Sequence, residues 1–252
     1  MKGLRRHPLR VIGRLLWFAG ALLVALPDYL ARFAFREKNA ALPARALWLQ
    51  RTSRRLLKIF KMQPQVAGPV PSRGLLVSNH QGYLDILVLS AITPAVFVSK
   101  REVKSWPVFG QFAQLAGTLF VDRERRTLVG AMNREIQNAL DEGALVVLFA
   151  EGTSSNGDGV LPFKSALLEP AARSPQPLTV ACIQYALDDG DAGEEICYWG
   201  DHTLLPHILN LLGKRTVRAA VRFAEIPRTG ADRKTLAREL RGEILRLKTG
   251  NM

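Results

Sequence analysis

Short apolar runs alternate with helical patterns along residues 75–247, and this alternation restricts the possible folds more than any other feature of the chain. The apolar runs predict strands at residues 75–78, 96–99, 118–121, 145–149, 178–184 and 217–223. The helical spacing of apolar residues predicts helices at 84–92, 128–140, 165–172, 207–212 and 234–247. Strands that are joined through helices pair in parallel. The sequence therefore predicts an α/β fold with a mostly parallel sheet flanked by helices.

Positive charge is concentrated ahead of this region. Residues 1–61 contain 14 of the 35 Lys and Arg residues but only two of the 22 acidic residues, so they carry +12 of the formal net charge of +13. A segment this basic favours an anionic partner, either nucleic acid or a membrane surface. The remaining chain has no helix-turn-helix, zinc module or RNA-binding aromatic pattern, so we expect no nucleic-acid partner.

Two apolar segments within the basic region favour the membrane surface. The uncharged run at residues 15–27 would span roughly 20 Å as a helix, which is less than the ~30 Å hydrocarbon core. A half-inserted or surface-lying helix is therefore favoured over a full span. Residues 48–61 predict a second helix with one apolar face and one basic face, which is typical of a helix lying among lipid headgroups. The alternative is that its apolar face packs on the body of the protein.

These patterns divide the chain into two parts. Residues 1–62 are predicted to form an N-terminal helical membrane-association element, and residues 63–252 an α/β catalytic domain that begins with a Pro- and Gly-rich linker at 63–74. The two cysteines, Cys182 and Cys197, form no disulfide-like or zinc-like pattern and fit a reducing compartment. We therefore expect a protein associated with an anionic membrane surface, on the cytoplasmic face of the cell (inner) membrane.

A histidine and an aspartate follow the first predicted strand. His80 stands at the end of the strand, and Asp85 falls in the first turn of the next helix, with Gly82 between them allowing a tight turn. Asp85 can then accept a hydrogen bond from one imidazole nitrogen and leave the other nitrogen as a base that activates a hydroxyl. The alternative is that Asp85 caps the helix and His80 is an ordinary loop residue.

Two further strand ends carry groups that suit an anion. One strand ends near Arg123, and another is followed by Glu151, Gly152 and Thr153. Backbone amides and hydroxyls at a strand end suit an anion, and the Arg123 guanidinium can bind one with two hydrogen bonds. The alternatives are a salt bridge for Arg123 and an ordinary turn at Gly152.

Three motifs in this order resemble those of the glycerolipid acyltransferase family, which contains 1-acyl-sn-glycerol-3-phosphate acyltransferase, over roughly residues 60–225. The family motifs are N-H-x4-D, G-x-x-F-x-x-R and F-P-E-G-T-R. Their matches here are Asn79, His80 and Asp85, then Gly117, Phe120 and Arg123, and then Phe149, Glu151, Gly152 and Thr153. Phe163 and Lys164 further resemble a Phe-Lys pair that is common in relatives.

The resemblance implies an O-acyltransferase that moves a fatty acyl group from acyl-CoA or acyl-carrier protein to the free hydroxyl of a lysolipid. The leading acceptor is 1-acyl-sn-glycerol-3-phosphate (lysophosphatidate), which would give phosphatidic acid. It implies His80 and Asp85 as catalytic residues, no cofactor other than the acyl donor, and no metal. The residues that it implies for substrate binding are Asn79, Gly117, Phe120, Arg123, Glu151, Gly152, Thr153 and Lys164.

The chain departs from the family pattern at three positions. Ala150 replaces the proline of the third motif, Ser154 replaces its arginine, and Thr179 stands where the fourth motif carries a proline. The missing arginine removes one cation from the phosphate site that the resemblance implies. Lyso-ornithine lipid, another lysophospholipid or dual specificity therefore stay open as alternatives. A membrane-bound lipid-binding protein without catalytic turnover is an alternative from another class.

Overall fold

The computed structural model describes residues 7–33, 41–121, 129–228 and 230–250. Within these ranges the strands are β1 (Gln65–Ala67), β2 (Gly74–Ser78), β3 (Val96–Lys100), β4 (Leu119–Val121), β5 (Leu145–Phe149), β6 (Leu178–Leu187) and β7 (Val217–Glu225). The α-helices are α1 (Pro8–Phe33), α2 (Leu42–Ile59), α3 (Leu84–Ile92), α4 (Phe109–Leu115), α5 (Val129–Asp141), α6 (Glu169–Arg173), α7 (Ala192–Glu195), α8 (Leu204–Gly213) and α9 (Arg233–Thr249). Short 3₁₀ turns cover Arg101–Ser105 and Ser165–Leu168.

The strands form one seven-stranded sheet in the order β1-β7-β6-β2-β5-β3-β4. Neighbouring strands pair in parallel except β6 and β7, which are antiparallel. The prediction of a mostly parallel sheet flanked by helices is therefore confirmed. β2 lies near the centre of the sheet, and all of its residues are buried because helices cover both faces.

The two faces of the sheet pack against different sets of helices. Along β2, Leu76 packs in one apolar cluster while Leu75 and Val77 pack in the other, as the two-residue period of a strand requires. The first cluster takes buried side chains from α2, α3 and α8, and the second takes them from α5 and α9. The loop that joins β2 to α3 and carries His80 begins at the end of β2, between these two layers.

Several elements differ from the predictions. The predicted linker at 63–74 contains strand β1, an exposed three-residue edge strand that pairs with β7 through Gln65 and Ala220. The helix predicted at 165–172 is a 3₁₀ turn followed by α6, because Pro170 lies at the start of α6 and lacks the N–H that a continuous helix needs. Helix α4 was not predicted, and β6 continues three residues past its predicted end.

Helix α2 corrects the prediction for residues 48–61. Its apolar side is buried in the core that it shares with the sheet: Trp48, Leu57 and Ile59 are each exposed by 2% or less. The Trp48 indole donates a hydrogen bond to the carbonyl of Ala25 in α1 at 3.1 Å. The apolar face of α2 therefore packs on the body of the protein, which is the alternative stated above, and is not free to enter a membrane.

Helix α1 is longer than the uncharged run that predicts it. Its 26 residues correspond to roughly 39 Å at ~1.5 Å per residue, and by length and composition it is the one helix of the described ranges able to cross a membrane. The charged residues on either side of the uncharged run, Arg14 and Asp28, have partners within the protein. Asp28 pairs with Arg32 at 3.0 Å, and Arg14 is buried against the end of α8.

Two arginines fasten α1 to the C-terminus of α8. The Arg14 guanidinium donates to the carbonyls of Leu212 at 3.2 Å and Arg215 at 3.1 Å, and also to that of Lys214. Arg10 donates to the carbonyl of Gly213 at 2.9 Å. The last carbonyls of a helix have no partner within the helix, and they carry partial negative charge. A cationic donor set therefore both satisfies these carbonyls and holds α1 on the body.

We expect Arg14→Ala to lower the free energy of unfolding by about 2–3 kcal/mol, because a buried, charge-assisted donor is lost from three carbonyls. Chemical unfolding in detergent micelles, followed by tryptophan fluorescence, measures the change. Arg32→Ala is the matched control on the same helix. Its exposed pair with Asp28 should contribute at most about 0.5 kcal/mol. Equal effects of the two substitutions would contradict the role given to Arg14.

Candidate active site

His80 lies just after the C-terminal end of β2, two residues beyond Ser78. The strand ends at Ser78, and the chain then turns through Gly82 into α3. Gly82 has a φ of 148°, and a Cβ there would lie 2.9 Å from both the backbone nitrogen and the Cβ of Tyr198. Only glycine fits this close approach. The turn therefore depends on Gly82, as the sequence predicts.

The turn brings His80 and Asp85 into contact. His80 Nδ1 lies 2.8 Å from Asp85 Oδ2, and the Asp85 side chain is fully buried. Since an ionised carboxylate only accepts hydrogen bonds, Nδ1 carries the proton and Nε2 keeps the lone pair. His80 also lines an apolar cavity, with its side chain 21% exposed. The predicted contact between His80 and Asp85 is present in the geometry.

Four donors surround the Asp85 carboxylate. Besides His80, the backbone N–H groups of Gln81 and Gly82 donate to Oδ2 at 2.6 and 3.0 Å, and the Tyr185 hydroxyl donates to Oδ1 at 2.8 Å. Asp85 also lies in the first turn of α3, where the helix dipole favours a negative charge. These donors offset the cost of burying an ionised group.

The remaining contacts of His80 fix its backbone and its ring. Its N–H donates to Glu151 Oε1 at 2.7 Å, and the other oxygen of Glu151 accepts the N–H of Leu161 at 2.9 Å. Glu151 is buried, which raises its pKa, although these two N–H groups partly counter the effect. The imidazole stacks on Phe149, with ring centroids 4.0 Å apart. Glu151 therefore contacts the backbone of His80, and its carboxylate is not among the groups that line the cavity.

Asn79 extends the sheet beyond the end of β2. The last paired residues of β2 and β6 are Ser78 and Ala181. The Asn79 amide then donates to the carbonyl of Ile183 at 2.9 Å and accepts its N–H at 2.7 Å, so a side chain continues the ladder that the backbone leaves. Asn79, which the resemblance implies for substrate binding, is therefore engaged with β6.

The third motif lies beside His80. Gly152 (φ 72°), Thr153 and Ser154 line the cavity. The aliphatic part of the Lys164 side chain passes over Gly152, where an added Cβ would lie 2.8 Å from Lys164 Cδ. The Ser154 hydroxyl donates to the carbonyl of Tyr198. Thr153 and Lys164 are exposed at the surface, while Ser154 joins the loop after β5 to the loop that carries Tyr198.

The second motif is only partly described. Gly117 has a φ of 81°, and its Cα faces Leu42 and Arg45 of α2, while its neighbours Ala116 and Thr118 line the cavity. Phe120 is partly exposed on β4, opposite Ser99 of β3. The predicted residue Arg123 lies outside the described residues.

His80 is one of the residues that line an apolar cavity of about 370 Å³. The walls of this cavity come from α1, α2, α3, the segment from β3 through α4, the loop after β5, α8 and Tyr198. Representative lining residues are Phe18, Leu22, Leu49, Leu56, Leu87, Phe97, Phe109, Phe112 and Ile208. A largely apolar cavity with a few polar groups at one end is the usual form of a site for an apolar ligand with one reactive group. The two N-terminal helices therefore help to form the site.

Several residues of the site carry no signal in the sequence. Tyr83 lines the cavity and donates to His207 Nδ1 at 2.8 Å, and His207 Nε2 lies 3.2 Å from the carbonyl of Cys197. Burial lowers the pKa of His207 to about 4, so its ring is neutral near neutral pH. Tyr185 and Tyr198 also reach the site from distant parts of the chain. No spacing rule connects them to His80, because Tyr185 comes from β6 and Tyr198 from the loop after α7, and the tertiary fold brings both there.

Among the residues that the structure describes, no group of three or more His, Cys, Asp or Glu side chains is arranged to hold a metal ion.

Comparisons with known proteins agree with this geometry. A family model described as Acyltransferase matches residues 62–184. The chain is 40% identical over 184 residues to the lyso-ornithine lipid O-acyltransferase of Brucella abortus, covering 68% of this chain and 69% of that protein. It is 36% identical over 147 residues to the 1-acyl-sn-glycerol-3-phosphate acyltransferase of Neisseria gonorrhoeae, covering 54% and 58%.

A solved structure supports the fold independently. The crystal structure of the 1-acyl-sn-glycerophosphate acyltransferase from Thermotoga maritima matches with a TM-score of 0.66 and 19% identity, over 99% of both chains. At this identity the match shows the fold alone. The sequence match across two thirds of the Brucella protein shows more: this chain is an acyltransferase and belongs to the glycerolipid acyltransferase family.

Proposed function

We propose that this acyltransferase moves a fatty acyl group from an acyl thioester to the free hydroxyl of a lysolipid, with lyso-ornithine lipid as its acceptor. The observation that carries the proposal is the His80–Asp85 pair beside an apolar cavity, with His80 Nδ1 bound to Asp85 and Nε2 left as the basic nitrogen. We further propose His80 as the base and Asp85 as the residue that orients it.

The chemistry requires one base that later acts as an acid. His80 Nε2 takes the proton of the acceptor hydroxyl while the oxygen attacks the thioester carbonyl. Asp85 stabilises the imidazolium that forms. The tetrahedral intermediate then collapses, the C–S bond breaks, and the leaving thiolate receives the proton from His80. The products are an ester and a free thiol, so no cofactor other than the acyl donor is needed.

The cysteines offer no better nucleophile. Burial raises the pKa of Cys182 to about 11 and that of Cys197 to about 12, so neither thiol forms an appreciable thiolate near neutral pH. Direct attack by the activated hydroxyl is therefore favoured over a covalent acyl-enzyme.

The apolar cavity supports a fatty acyl substrate. Each methylene group that leaves water on binding contributes ~0.8 kcal/mol, so a wall of Leu and Phe side chains suits a long chain. The donor can be acyl-CoA or acyl-carrier protein, because both present the same thioester to His80.

Two observations favour lyso-ornithine lipid over lysophosphatidate. Ser154 replaces an arginine of the family motif, and its hydroxyl is engaged with the carbonyl of Tyr198. The lyso-ornithine lipid O-acyltransferases of Brucella abortus and Rhizobium meliloti match 184 and 202 residues at 40% and 36% identity, whereas the Neisseria lysophosphatidate enzyme matches 147 residues at 36%. Lysophosphatidate is the second candidate, because Lys100 lines the same cavity and Lys164 passes over Gly152.

The exposed face of α1 supports membrane association. Leu9, Leu16, Leu23 and Leu30 are spaced two helical turns apart and are 85%, 69%, 75% and 51% exposed. The inner face of the same helix contributes Phe18 and Leu22 to the cavity. A helix that is apolar outside and lines a lipid cavity inside fits embedding in one leaflet. Exposed Lys58 and Lys61 at the end of α2 suit anionic headgroups, and we propose the cytoplasmic face of the membrane as the location.

We expect His80→Ala to abolish acyl transfer, since it removes the only base proposed for the hydroxyl. Asp85→Asn should lower kcat by orders of magnitude, because an amide favours the wrong imidazole tautomer. The assay uses labelled acyl-CoA and acyl-carrier protein with a panel of lyso-ornithine lipid, lysophosphatidate and lysophospholipids. His7→Ala, at the exposed start of α1, is the matched control and should keep full activity. Near-native turnover by folded His80→Ala protein would reject the mechanism.

We expect Ser154→Arg to raise the ratio of kcat/KM for lysophosphatidate over lyso-ornithine lipid by about ten- to a hundredfold, the value of one charge-assisted contact to phosphate. Ser154→Ala is the matched control, since it removes the hydrogen bond to Tyr198 without adding a cation. An unchanged ratio in the arginine variant would show that position 154 does not select the head group.

We expect replacement of Leu9, Leu16, Leu23 and Leu30 by Gln to reduce binding to anionic phospholipid vesicles at least tenfold while the fold is kept, because the apolar area that enters the bilayer is lost. Vesicle co-sedimentation at low and high salt measures it. Val66→Gln and Val70→Gln, two exposed valines outside α1, are the controls. Undiminished binding by the quadruple variant would assign membrane contact to another surface.

A further inference from the structure

Strand β6 extends past the end of β2, where it contacts the loop at residues 79–83 that carries His80. The last residue of β6 that pairs with β2 is Ala181, so Ile183 and Tyr185 lie beyond it on the same face of the strand. Asn79 and Gln81 both bond the carbonyl of Ile183, at 2.9 and 2.6 Å. Tyr185 makes the next contact, through its hydroxyl to Asp85. One strand therefore braces the loop on both sides of His80.

The two oxygens of Asp85 have different partners. Oδ2 accepts from His80 Nδ1 and from the N–H groups of Gln81 and Gly82. Among the described residues, the donor to Oδ1 is the Tyr185 hydroxyl at 2.8 Å. A donor on Oδ1 draws negative charge away from Oδ2, the oxygen that faces the imidazole. The strength of this hydrogen bond thus influences how tightly His80 holds a second proton.

We propose that Tyr185 is a positioning residue that sets the basicity of His80 through the Asp85 carboxylate. The inference rests on the proposed function in taking His80 as the base. With the hydroxyl in place, the carboxylate is a weaker acceptor, so His80 releases its proton to the leaving thiolate more readily. Without it, more of the charge falls on Oδ2, the imidazolium is overstabilised, and a larger fraction of His80 is protonated and inactive at neutral pH.

The surroundings leave few other groups able to change charge near the pair. Burial raises the pKa of Tyr185, and also those of Tyr83 and Cys197, so these three stay protonated across the working pH range. The pKa of His207, on α8, is lowered to about 4, so this ring is uncharged there. Glu151 is a further ionisable neighbour, and both of its oxygens accept backbone N–H groups. Two lysines also belong to the site: Lys100 lines the cavity, and Lys164 passes over Gly152.

The first test reads the His80 ring directly by a ¹⁵N NMR titration of the full-length protein in detergent micelles. We expect Tyr185→Phe to raise the titration midpoint of His80 by about 0.5–1 pH unit relative to the unsubstituted protein. Tyr29→Phe removes the same hydroxyl from a tyrosine of α1 that packs on Trp48, and it should leave the midpoint unchanged. Since the signal belongs to His80, titration of Glu151 is not mistaken for it. An unchanged midpoint in Tyr185→Phe would overturn the proposal.

The second test is kinetic and separates positioning from simple destabilisation. Tyr185→Phe should lower kcat about 3- to 30-fold near neutral pH, keep KM for the acceptor, and move the acid limb of the pH–rate profile upward with the NMR midpoint. A lower kcat with an unmoved limb would mean a purely structural role and would refute the inference. Failure of the unsubstituted protein to acylate any acceptor would reject the proposed function, while the NMR result would still decide the role of Tyr185.

A third variant guards against misfolding of Tyr185→Phe. Site-specific fluorotyrosine at position 185 keeps the shape of the side chain and makes its hydroxyl a stronger donor. The titration midpoint of His80 should then move downward, opposite to the effect of phenylalanine. A shift in the same direction as Tyr185→Phe, or no shift, would contradict the proposal.

Discussion

Burial of the Asp85 charge is the constraint around which the centre of the molecule is arranged. An ionised carboxylate that has left water is tolerated only when its oxygens are saturated with donors, and here the donors come from His80, the Gln81 and Gly82 amides, and Tyr185. Each donor is placed by a particular element of the fold. The amides require the turn at Gly82, the turn requires the start of α3, and Tyr185 requires β6 to stand beside β2. The order of the strands and the contact between His80 and Asp85 therefore depend on each other.

The polar groups around this charge hold His80, the proposed base, in place. Asn79 continues the pairing of β2 with β6, Glu151 ties the backbone of His80 to Leu161, and the imidazole stacks on Phe149. Preorganisation of this kind matters because a base that is misplaced by about an ångström loses much of its effect. Residues such as Asn79 and Glu151, which the family motifs suggest for substrate contact, thus act in this structure mainly as supports of the loop.

The N-terminal helices connect this polar centre to an exposed apolar surface. α2 is part of the core, and α1 is fastened to the end of α8 by Arg10 and Arg14. The inner face of α1 lines the same cavity as His80, while its outer face is apolar and exposed. Under the proposed function, a long acyl chain would stay in an apolar environment up to His80, because the helix that lines the cavity is the one proposed to face the bilayer.

The sequence alone determined the elements whose signal is local. The run at 145–149 and the helical pattern at 84–92 coincide with β5 and α3, because buried central strands and strongly apolar helices leave a continuous or periodic pattern. The contact between His80 and Asp85 was also predictable, since the two residues lie five positions apart with a glycine turn between them. Tertiary structure decided the remainder. β1 has three exposed residues, and what makes it a strand is its pairing with β7. The apolar face of α2 has the same periodicity whether it meets lipid or core, so only packing shows that it meets the core. Tyr185 lies 100 residues from Asp85, and its hydrogen bond depends on strand order, which no local pattern encodes.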